Sequence, residues 1–523
     1  MQLSQPDPTG TAVSVIDSDR LPTSGEADVV VIGAGNAGLC AALAAAETGA
    51  SVIQLERAPE VERGGNTAFT AGAMRVAYTG VGELQELMPD LTPRELEVTD
   101  FGSYPASAFY NDMARVTDFR ADPELVDVLT SRSLDTLKWM TTKSVRFLPI
   151  YGRQAFNVDG RYKFWGGLTV EAMGGGQGLI EALASAAGAA GIDTLHDTRA
   201  MSLLTDDDGA VCGVRVRHHG RLRDIRAKAV VLASGGFQAN AEWRTRYLGS
   251  GWDLAKVRGT RFNTGDGIRM ALDAGAMSYG NWSGCHAVGW DRNAPEFGDL
   301  SVGDGFQKHS YPFGIMVNAE GRRFVDEGAD FRNFTYARYG RVILAQPGQF
   351  AWQVFDSKVL HLLRDEYRIR EVTKVTASTI EDLASRLEGV DAGQFCATVA
   401  EYNSAIRRDI PFNPNEKDGR RADLPIPKSN WATLIDEPPF EAYQVTCGIT
   451  FTFGGLRINT DAHVIDTEGV ILPGLFACGE LVGGLFYNNY PGGSGLTAGA
   501  VFGRIAGTKA GEHARAAQRG WKA

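Results

Sequence analysis

The chain has 523 residues, of which 44% are hydrophobic, and a formal net charge of −11 at pH 7. This length exceeds what one ordinary hydrophobic core organises, so we expect two or more domains. The acidic balance, without a long basic run, argues against nucleic acid as a partner. No run of about eighteen apolar residues occurs, so no transmembrane segment is predicted.

The N-terminal residues and the cysteines indicate the cellular compartment in which the protein is expected. Residues 1–26 are polar and rich in Pro, Ser, Thr and Asp, which predicts a flexible tail. This tail has neither a basic segment before an apolar core nor a twin-arginine pair, so an export signal is not expected. The six cysteines are scattered without C-x-x-C spacing, which argues against a zinc, iron–sulfur or c-type haem site. We therefore predict a cytoplasmic protein with reduced thiols and no metal.

A dinucleotide-binding unit is predicted near the start of the chain. Asp28–Ile32 is a short apolar β-strand, and a G-x-G-x-x-G turn follows it. An Ala-rich helix is expected over Leu39–Glu47, and a second strand, Ser51–Leu55, ends at Glu56. Strand, turn, helix, second strand and acid appear in the order that a dinucleotide site requires.

Each position of this unit has a physical reason. Gly33 permits the tight turn, Gly35 lets the backbone approach a pyrophosphate, and Gly38 lets helix and strand pack closely. The N-terminus of the helix offers free N–H groups and a positive dipole end to phosphate. Glu56 is placed to accept hydrogen bonds from a ribose hydroxyl.

The remainder of the chain alternates between strand and helix patterns before its character changes. Helices are predicted over residues 122–139, 174–190 and 268–273, and strands over residues 194–204, 211–218 and 228–237. From about residue 280 the segments are rich in Trp, His, Tyr and Arg, and glycine returns after residue 447. A small-residue helix to Ala506 follows the turn at Gly492–Gly495. We therefore predict a tail (1–26), a cofactor domain in two parts (27–279 and 448–523), and an inserted capping or substrate domain (280–447).

Several motifs occur in one order, and together they carry a family resemblance. They are Gly64–Thr67, Leu232–Gly236, Gly265–Gly267, Gly321–Phe324, Ala477–Glu480 and Gly492–Gly495. This order resembles the fumarate reductase/succinate dehydrogenase flavoprotein family over about residues 27–510. Within the family the chain is most similar to FAD-dependent tricarballylate dehydrogenase-like members, through Arg63–Asn66, Gly259–Asn263 and Asp330–Arg332.

The resemblance implies an α/β fold. A Rossmann-like FAD-binding domain is split between both chain ends, and an α+β capping domain is inserted. The residues that it assigns to FAD are Gly33, Gly35, Asn36, Ala37, Gly38, Glu56, Arg57, Gly64, Gly65, Asn66, Thr67, Ala71, Gly72, Ala233, Ser234, Gly235, Asp266, Gly479, Glu480, Ser494, Gly495 and Leu496. Some members attach FAD to a His near residues 64–70; no His lies there, so noncovalent FAD is expected.

The chain departs from the fumarate reductases at two substrate ligands. Phe451 stands where they have a His, and Tyr490 stands where they have a carboxylate-binding Arg. The run Tyr-Pro-Gly from Tyr490 instead resembles 3-ketosteroid Δ1-dehydrogenases, in which that tyrosine and a nearby backbone N–H polarise a ketone. The N–H of Ser494 is the expected second donor.

Four residues are candidates for catalysis, and three of them have an alternative role. Arg332 resembles the proton-shuttling arginine of fumarate reductases, but it could instead bind a substrate carboxylate or form a structural ion pair. His286 corresponds to a substrate-binding His of the family, or is a hydrogen-bonded structural His. Tyr490 is expected to touch the substrate oxygen. Tyr336 is a candidate acid or base, or a core aromatic.

The function implied is an FAD-dependent dehydrogenase that desaturates a C–C bond alpha,beta to a carboxylate or ketone, with hydride passing to flavin N5. The substrate would be a small tricarballylate-like acid or a cyclic ketone. One alternative is an enoate- or fumarate-type reductase that runs the reverse reaction, and another is a noncatalytic flavin electron-transfer protein. No haem or iron–sulfur motif is present to relay electrons, so a quinone, a partner protein or oxygen is each compatible as electron acceptor.

Overall fold

The computed structural model describes residues 25–164 and 167–520, with side chains to residue 517. The flexible tail predicted for residues 1–26 lies outside this description except for its last two residues. The α-helices are α1 (Asn36–Glu47), α2 (Val81–Leu87), α3 (Pro93–Val98), α4 (Ala106–Val116), α5 (Pro123–Thr141), α6 (Tyr151–Gln154), α7 (Gly175–Ala189), α8 (Ala241–Trp243), α9 (Asp266–Asp273), α10 (Tyr336–Leu344), α11 (Ile380–Arg386), α12 (Ala392–Ser404) and α13 (Ser494–Gly520).

The strands, in chain order, are β1 (Glu26–Ile32), β2 (Val52–Leu55), β3 (Ala73–Met74), β4 (Thr99–Asp100), β5 (Phe147–Pro149), β6 (Asn157–Val158), β7 (Arg161–Lys163), β8 (Val170–Ala172), β9 (Asp193–Leu195), β10 (Thr198–Thr205), β11 (Val211–His218), β12 (Arg221–Leu232), β13 (Lys256–Val257), β14 (Ser278–Asp291), β15 (Ile315–Val317), β16 (Ala351–Phe355), β17 (Lys374–Ala377), β18 (Phe440–Leu456), β19 (His463–Ile465) and β20 (Ile471–Ala477).

The largest sheet joins both ends of the chain. Its order is β10-β11-β12-β1-β2-β9, and β20 pairs in parallel with the end of β12. Strand β1 lies between β12 and β2, parallel to both, and Val29–Val31 are fully buried. A strand covered on both faces must be apolar throughout, which explains the unbroken valine run. This is the predicted α/β fold, with its Rossmann-like domain assembled from both chain ends.

Helix α1 packs on α13 through a row of glycines. Gly499, Gly503, Gly507 and Gly511 recur every fourth residue and face α1. A Cβ atom at Gly507 would lie 2.0 Å from the carbonyl oxygen of Ala41, so the two backbones approach more closely than a side chain permits. The helix predicted to end at Ala506 continues to Gly520, because no proline interrupts it and its glycines pack against α1.

The second sheet is built around one long strand. Strand β18 pairs antiparallel with β14, β16 and β17, and parallel with β13. Helices α11 and α12 cover a second core that includes Ile315, Val354 and Phe395. Both β14 and β18 run across the residues predicted as boundaries of the capping domain, 280 and 447. Those boundaries therefore stay a prediction.

Neither a membrane-spanning helix nor a metal-binding cluster is present in the described ranges, 25–164 and 167–520. No helix there is long and apolar enough to cross a membrane. No cluster of three or more His, Cys, Asp or Glu side chains there is placed to hold a metal ion. The six cysteines are all free thiols.

Candidate functional site

Two adjoining cavities open at the carboxyl ends of β1, β2 and β12. We call the one beside the glycine turn the β1 cavity, and its wall includes Gly33, Glu56 and Ser234. We call the other the central cavity, and its wall includes Tyr336 and Tyr490. Both cavities are lined by the same junction residues, Asn36, Ala37, Asn66, Thr67 and Glu480. Ligands of open α/β sheets bind at this end of the strands.

The glycine turn is shaped for close approach of a phosphate. Gly33 has φ of +113°, and a Cβ atom there would lie 2.3 Å from the carbonyl oxygen of Ala233. A Cβ atom at Gly38 would lie 2.0 Å from the carbonyl oxygen of Gly33. The N-cap of α1 is Gly35, which supplies no side-chain cap. The Asn36 N–H donates to the Thr67 hydroxyl (3.2 Å), and the N-terminus of the helix beyond it suits an anion.

Hydrogen-bonding groups for a ribose stand in the β1 cavity. The Glu56 carboxylate accepts the N–H groups of Ala34 (2.9 Å) and Ala58 (2.8 Å), which fixes its position and leaves further lone pairs. Burial raises the pKa of Glu56, and these backbone bonds oppose the shift. The Ser234 hydroxyl is buried without a hydrogen-bond partner among the described residues, as expected where a ligand group completes the site.

A charged network borders the β1 cavity. Arg57 pairs with Asp266 at 3.0 Å, and Arg199 binds the same carboxylate through two bonds of 2.9 Å. Asp266 is thus held between two arginines at the cavity wall. This position suits a structural border more than a direct ligand, because the carboxylate is already engaged by two cations.

Glu480 stands where the two cavities join. It accepts hydrogen bonds from the Thr452 N–H (3.0 Å), Gln238 (3.2 Å) and Asn263 (3.2 Å). Burial raises the pKa of Glu480 to about 7, although these bonds favour the charged form. A hydroxyl-rich ligand such as a ribityl chain would meet an acceptor here.

Most of the predicted FAD residues line one or both cavities, and four do not. Those four are Gly38, Gly64, Gly72 and Ser494. A Cβ atom at any of the three glycines would crowd neighbouring atoms behind the walls, which are backbone atoms at Gly38 and Gly72 and side chains at Gly64. The N–H of Ser494 donates to the Pro491 carbonyl oxygen (3.2 Å), so this geometry does not support its predicted role as an oxyanion donor.

All four predicted catalytic residues line the central cavity, and three of them are in mutual contact. The hydroxyls of Tyr336 and Tyr490 are hydrogen-bonded to each other. The ring of His286 lies 5.0 Å from the ring of Tyr336 and 4.7 Å from that of Tyr490. His286 is held at a β-bulge of β14, opposite Phe451 on β18. Bulges of this kind re-aim side chains next to functional sites.

Burial controls the protonation of this group. It raises the pKa of Tyr490 and raises that of Tyr336 well above 10, where the hydrogen bond to Tyr490 adds to the shift. It lowers the pKa of His286 well below 6.5, with Arg258 adding to the shift. At neutral pH both hydroxyls therefore keep their protons, and the imidazole of His286 is uncharged.

Arg332, the fourth candidate, lies in the cavity wall beside His309, which no sequence motif had indicated. Its Nη1 lies 3.3 Å from Nδ1 of His309, and its Nη2 donates to the carbonyl oxygen of Arg153 (2.6 Å). Burial lowers the pKa of Arg332, and burial with the charge of Arg332 lowers that of His309 well below 6.5. Both side chains are buried in the cavity wall.

A buried ion-pair network was also missed at the sequence level. Asp304 binds Arg258 (2.5 and 3.1 Å) and Arg153 (2.8 Å), and all three line the central cavity. These residues come from segments that are distant in the sequence, Arg153 from α6 and the other two from loops, and none carries a motif. Only Arg258 lies next to a family motif, because it directly precedes Gly259–Asn263.

Comparison with known proteins identifies the class. A family model described as an FAD-binding domain matches residues 28–496, so the chain belongs to this family of flavoproteins. The cleft fits that cofactor, because the glycine turn, the open helix N-terminus and the unpartnered Ser234 hydroxyl suit its phosphate and ribose groups. The predicted family resemblance, the FAD cofactor and the oxidoreductase class acting on carbon–carbon bonds are thereby confirmed.

Individual relatives agree with this class. The chain is 31% identical to a probable fumarate reductase, Ifc3, of Shewanella frigidimarina, over 93% of this chain and 75% of the relative. It is 27% identical to a 4-oxocyclohex-2-ene-1-carboxylate 5-dehydrogenase of Sinomonas cyclohexanicum, over 94% and 95% of the two chains. Its fold matches a 3-ketosteroid-Δ4-(5α)-dehydrogenase of Rhodococcus jostii RHA1 with TM-score 0.67, 25% identity and coverage of 96% and 99%. The special similarity to tricarballylate dehydrogenases stays a prediction.

Proposed function

We propose that the protein desaturates a carbon–carbon bond next to a ketone in a small substrate. The observation that carries the proposal is the cluster of Tyr336, Tyr490 and His286 in the central cavity. In the family resemblance, Tyr490 stands where fumarate reductases have a carboxylate-binding arginine. The two protonated hydroxyls can donate hydrogen bonds to a carbonyl oxygen, and the neutral imidazole can accept a proton.

The hydroxyl pair would act at the carbonyl oxygen. Negative charge builds on this oxygen when a proton leaves the neighbouring carbon, and donors fixed in advance stabilise that charge. Tyr490 is buried and already oriented by Tyr336, so little reorganisation is needed. Bound FAD would supply the hydride acceptor for the second hydrogen.

His286 is the favoured base for the departing proton. Both of its ring nitrogens are buried without a partner among the described residues, and its lowered pKa keeps the ring unprotonated at neutral pH, with one nitrogen lone pair free. Tyr336 is less suited to that role, because its raised pKa holds the phenol proton. Tyr336 instead orients Tyr490 and lines the substrate path.

The second candidate function is the reverse reaction, a reductase of activated C=C bonds. It is favoured by the names of several relatives, among them the probable fumarate reductase of Shewanella frigidimarina. The same donors would polarise an enone, and a hydroxyl of the tyrosine pair would return a proton to carbon. The direction depends on the electron partner, for which a quinone, a protein or oxygen are the candidates.

The test uses the FAD-loaded enzyme without oxygen. Cyclic ketones, keto acids and saturated polyacids such as tricarballylate are added in turn, and loss of the oxidised flavin absorbance is recorded. Bleaching by ketone-bearing compounds is the expected result. Bleaching by polyacids alone would overturn the ketone assignment. If no compound bleaches the flavin, dithionite-reduced enzyme is offered enones and enoates, and reoxidation by these would favour the reductase.

A further inference from the structure

Two buried donors in the central cavity lack acceptors. A guanidinium has only donors, so the contact between Arg332 Nη1 and His309 Nδ1 requires Nδ1 to be the acceptor. The ring proton of neutral His309 is therefore on Nε2. That Nε2 and the Nε of Arg332 are both buried with no hydrogen-bond partner among the described residues. Leaving such donors unsatisfied is costly, so a ligand acceptor is expected to meet them.

Arg332 likewise has no ion-pair partner in direct contact within the described part of the chain. No carboxylate of the described residues forms an ion pair with it, although its residue is only 8% exposed. Asp304 is already held by Arg258, Arg153 and Gln307. Glu366 acts on Arg332 only from beyond ion-pair distance. A buried arginine without a partner calls for an anion.

The donors lie near the tyrosine pair. The ring of His309 is 4.8 Å from that of Tyr336, whose hydroxyl meets Tyr490. A compound about the size of one six-membered ring would therefore reach from the arginine side to the hydroxyl side. Phe451 and Phe486 line the same cavity and offer apolar contact to a ring.

We propose, on the basis of the proposed function, that Arg332 and His309 bind a carboxylate of the substrate while Tyr490 contacts its ketone. The substrate is then a small cyclic keto acid. His309 is a specificity-determining residue: its Nε2–H donates to one carboxylate oxygen, and Arg332 contributes the charge. Neutral ketones of the same size lack this second attachment and bind more weakly.

The test measures binding without turnover. Isothermal titration of the oxidised, FAD-loaded enzyme uses 3- and 4-hydroxybenzoate, whose phenol stands for an enol, and compares them with phenol and the two methyl esters. We expect the better acid to bind at least about tenfold more tightly than its ester, the equivalent of one charged hydrogen-bonded contact. His309→Phe and Arg332→Gln should abolish this ratio and change phenol affinity less than about twofold.

Controls separate the subsite from folding and from the proposed function. His309→Gln retains a donor and should keep part of the ratio, whereas His361→Phe, at an exposed histidine, should keep all of it. FAD content and unfolding temperature must match wild type; if Arg332→Gln fails this, the two His309 variants decide. Equal affinity for acid and ester, no binding of any probe, or a ratio that survives in His309→Phe overturns the subsite. Normal carboxylate discrimination without bleaching by any ketone instead contradicts the proposed function alone.

Discussion

The hydroxyl pair of Tyr336 and Tyr490 gives the most direct residue-scale prediction. Replacing Tyr490 by Phe removes the donor to the substrate oxygen but keeps the ring that packs on His286. Because the lost bond strengthens as charge develops, we expect kcat/KM to fall about 10²–10³-fold, mostly in kcat. Anaerobic stopped-flow reduction of the flavin by a reactive ketone measures this.

The matched control is Tyr487→Phe. Tyr487 is a half-buried neighbour in the sequence that lines neither cavity. Its variant should react at the wild-type rate. Equal losses in the two variants would mean that Tyr490 acts through packing of this loop and not through its hydroxyl.

Glu480 supplies a pH-dependent prediction at the same scale. Its pKa is about 7 in the folded protein and near 4.5 when unfolded, so the FAD-free protein loses stability as the pH rises through about 7. Glu480→Gln removes this loss, and we expect it to stabilise the apoprotein by about 1–3 kcal/mol at pH 8. The gain should shrink toward pH 5, where the native side chain is protonated.

Thermal unfolding of both apoproteins across this pH range is the measurement. Glu468→Gln, at an exposed carboxyl, should produce no such pH-dependent difference. The same Glu480→Gln protein should retain less FAD, since its amide N–H₂ cannot accept a hydrogen bond from a cofactor hydroxyl. A variant that is more stable at pH 5 than at pH 8, relative to wild type, would contradict the assignment.

At the scale of elements, the glycine row of α13 sets how closely it packs on α1. Gly507→Ala would bring a Cβ atom to 2.0 Å from the Ala41 carbonyl oxygen, so the helices must separate. We expect a lower unfolding temperature, equivalent to about 1–3 kcal/mol, as for other overpacked cores. FAD affinity should fall too, because Asn36 of α1 donates to the Leu496 carbonyl oxygen of α13 (2.8 Å) beside the cleft.

Gly188→Ala is the matched control for this substitution. Gly188 also lies in a helix, α7, but it is exposed and a Cβ atom there has no neighbour within 4 Å. It should raise stability by about 0.5–1 kcal/mol through helix propensity alone. If both variants are stabilised, the two helices are more loosely packed than the geometry indicates.

Part of the fold and of the candidate site was predictable from the sequence. The strand over Asp28–Ile32, the glycine turn and Glu56 were predictable, because local backbone demands and an uninterrupted apolar run determine them. The family resemblance also identified Tyr490, His286 and Arg332 as candidates, and all three line one cavity. His309 and Asp304 were not predictable, because their neighbours are created by tertiary folding of distant loops. Ser494 lay in the right motif, but its N–H is used within its own turn.

At the scale of the whole molecule, the two adjoining cavities predict how FAD stabilises the fold. We expect its adenosine half in the β1 cavity and its flavin half in the central cavity, so that the cofactor bridges segments from both chain ends. A ligand that binds only the folded state stabilises it by RT ln(1 + [L]/Kd), about 2.7 kcal/mol at a hundredfold excess over Kd.

Thermal unfolding of the apoprotein with FAD, ADP and riboflavin tests this arrangement. FAD should raise the unfolding temperature most. ADP should raise it less and compete with FAD, because it fills the β1 cavity alone. Riboflavin should protect only weakly, since it has no phosphate to place at the helix N-terminus that follows Gly35. Arg57→Ala, which opens the border of the β1 cavity, should weaken ADP more than riboflavin. Stronger protection by riboflavin than by ADP would reverse the orientation, and with it the assignment of Tyr490 and His286 to the flavin end.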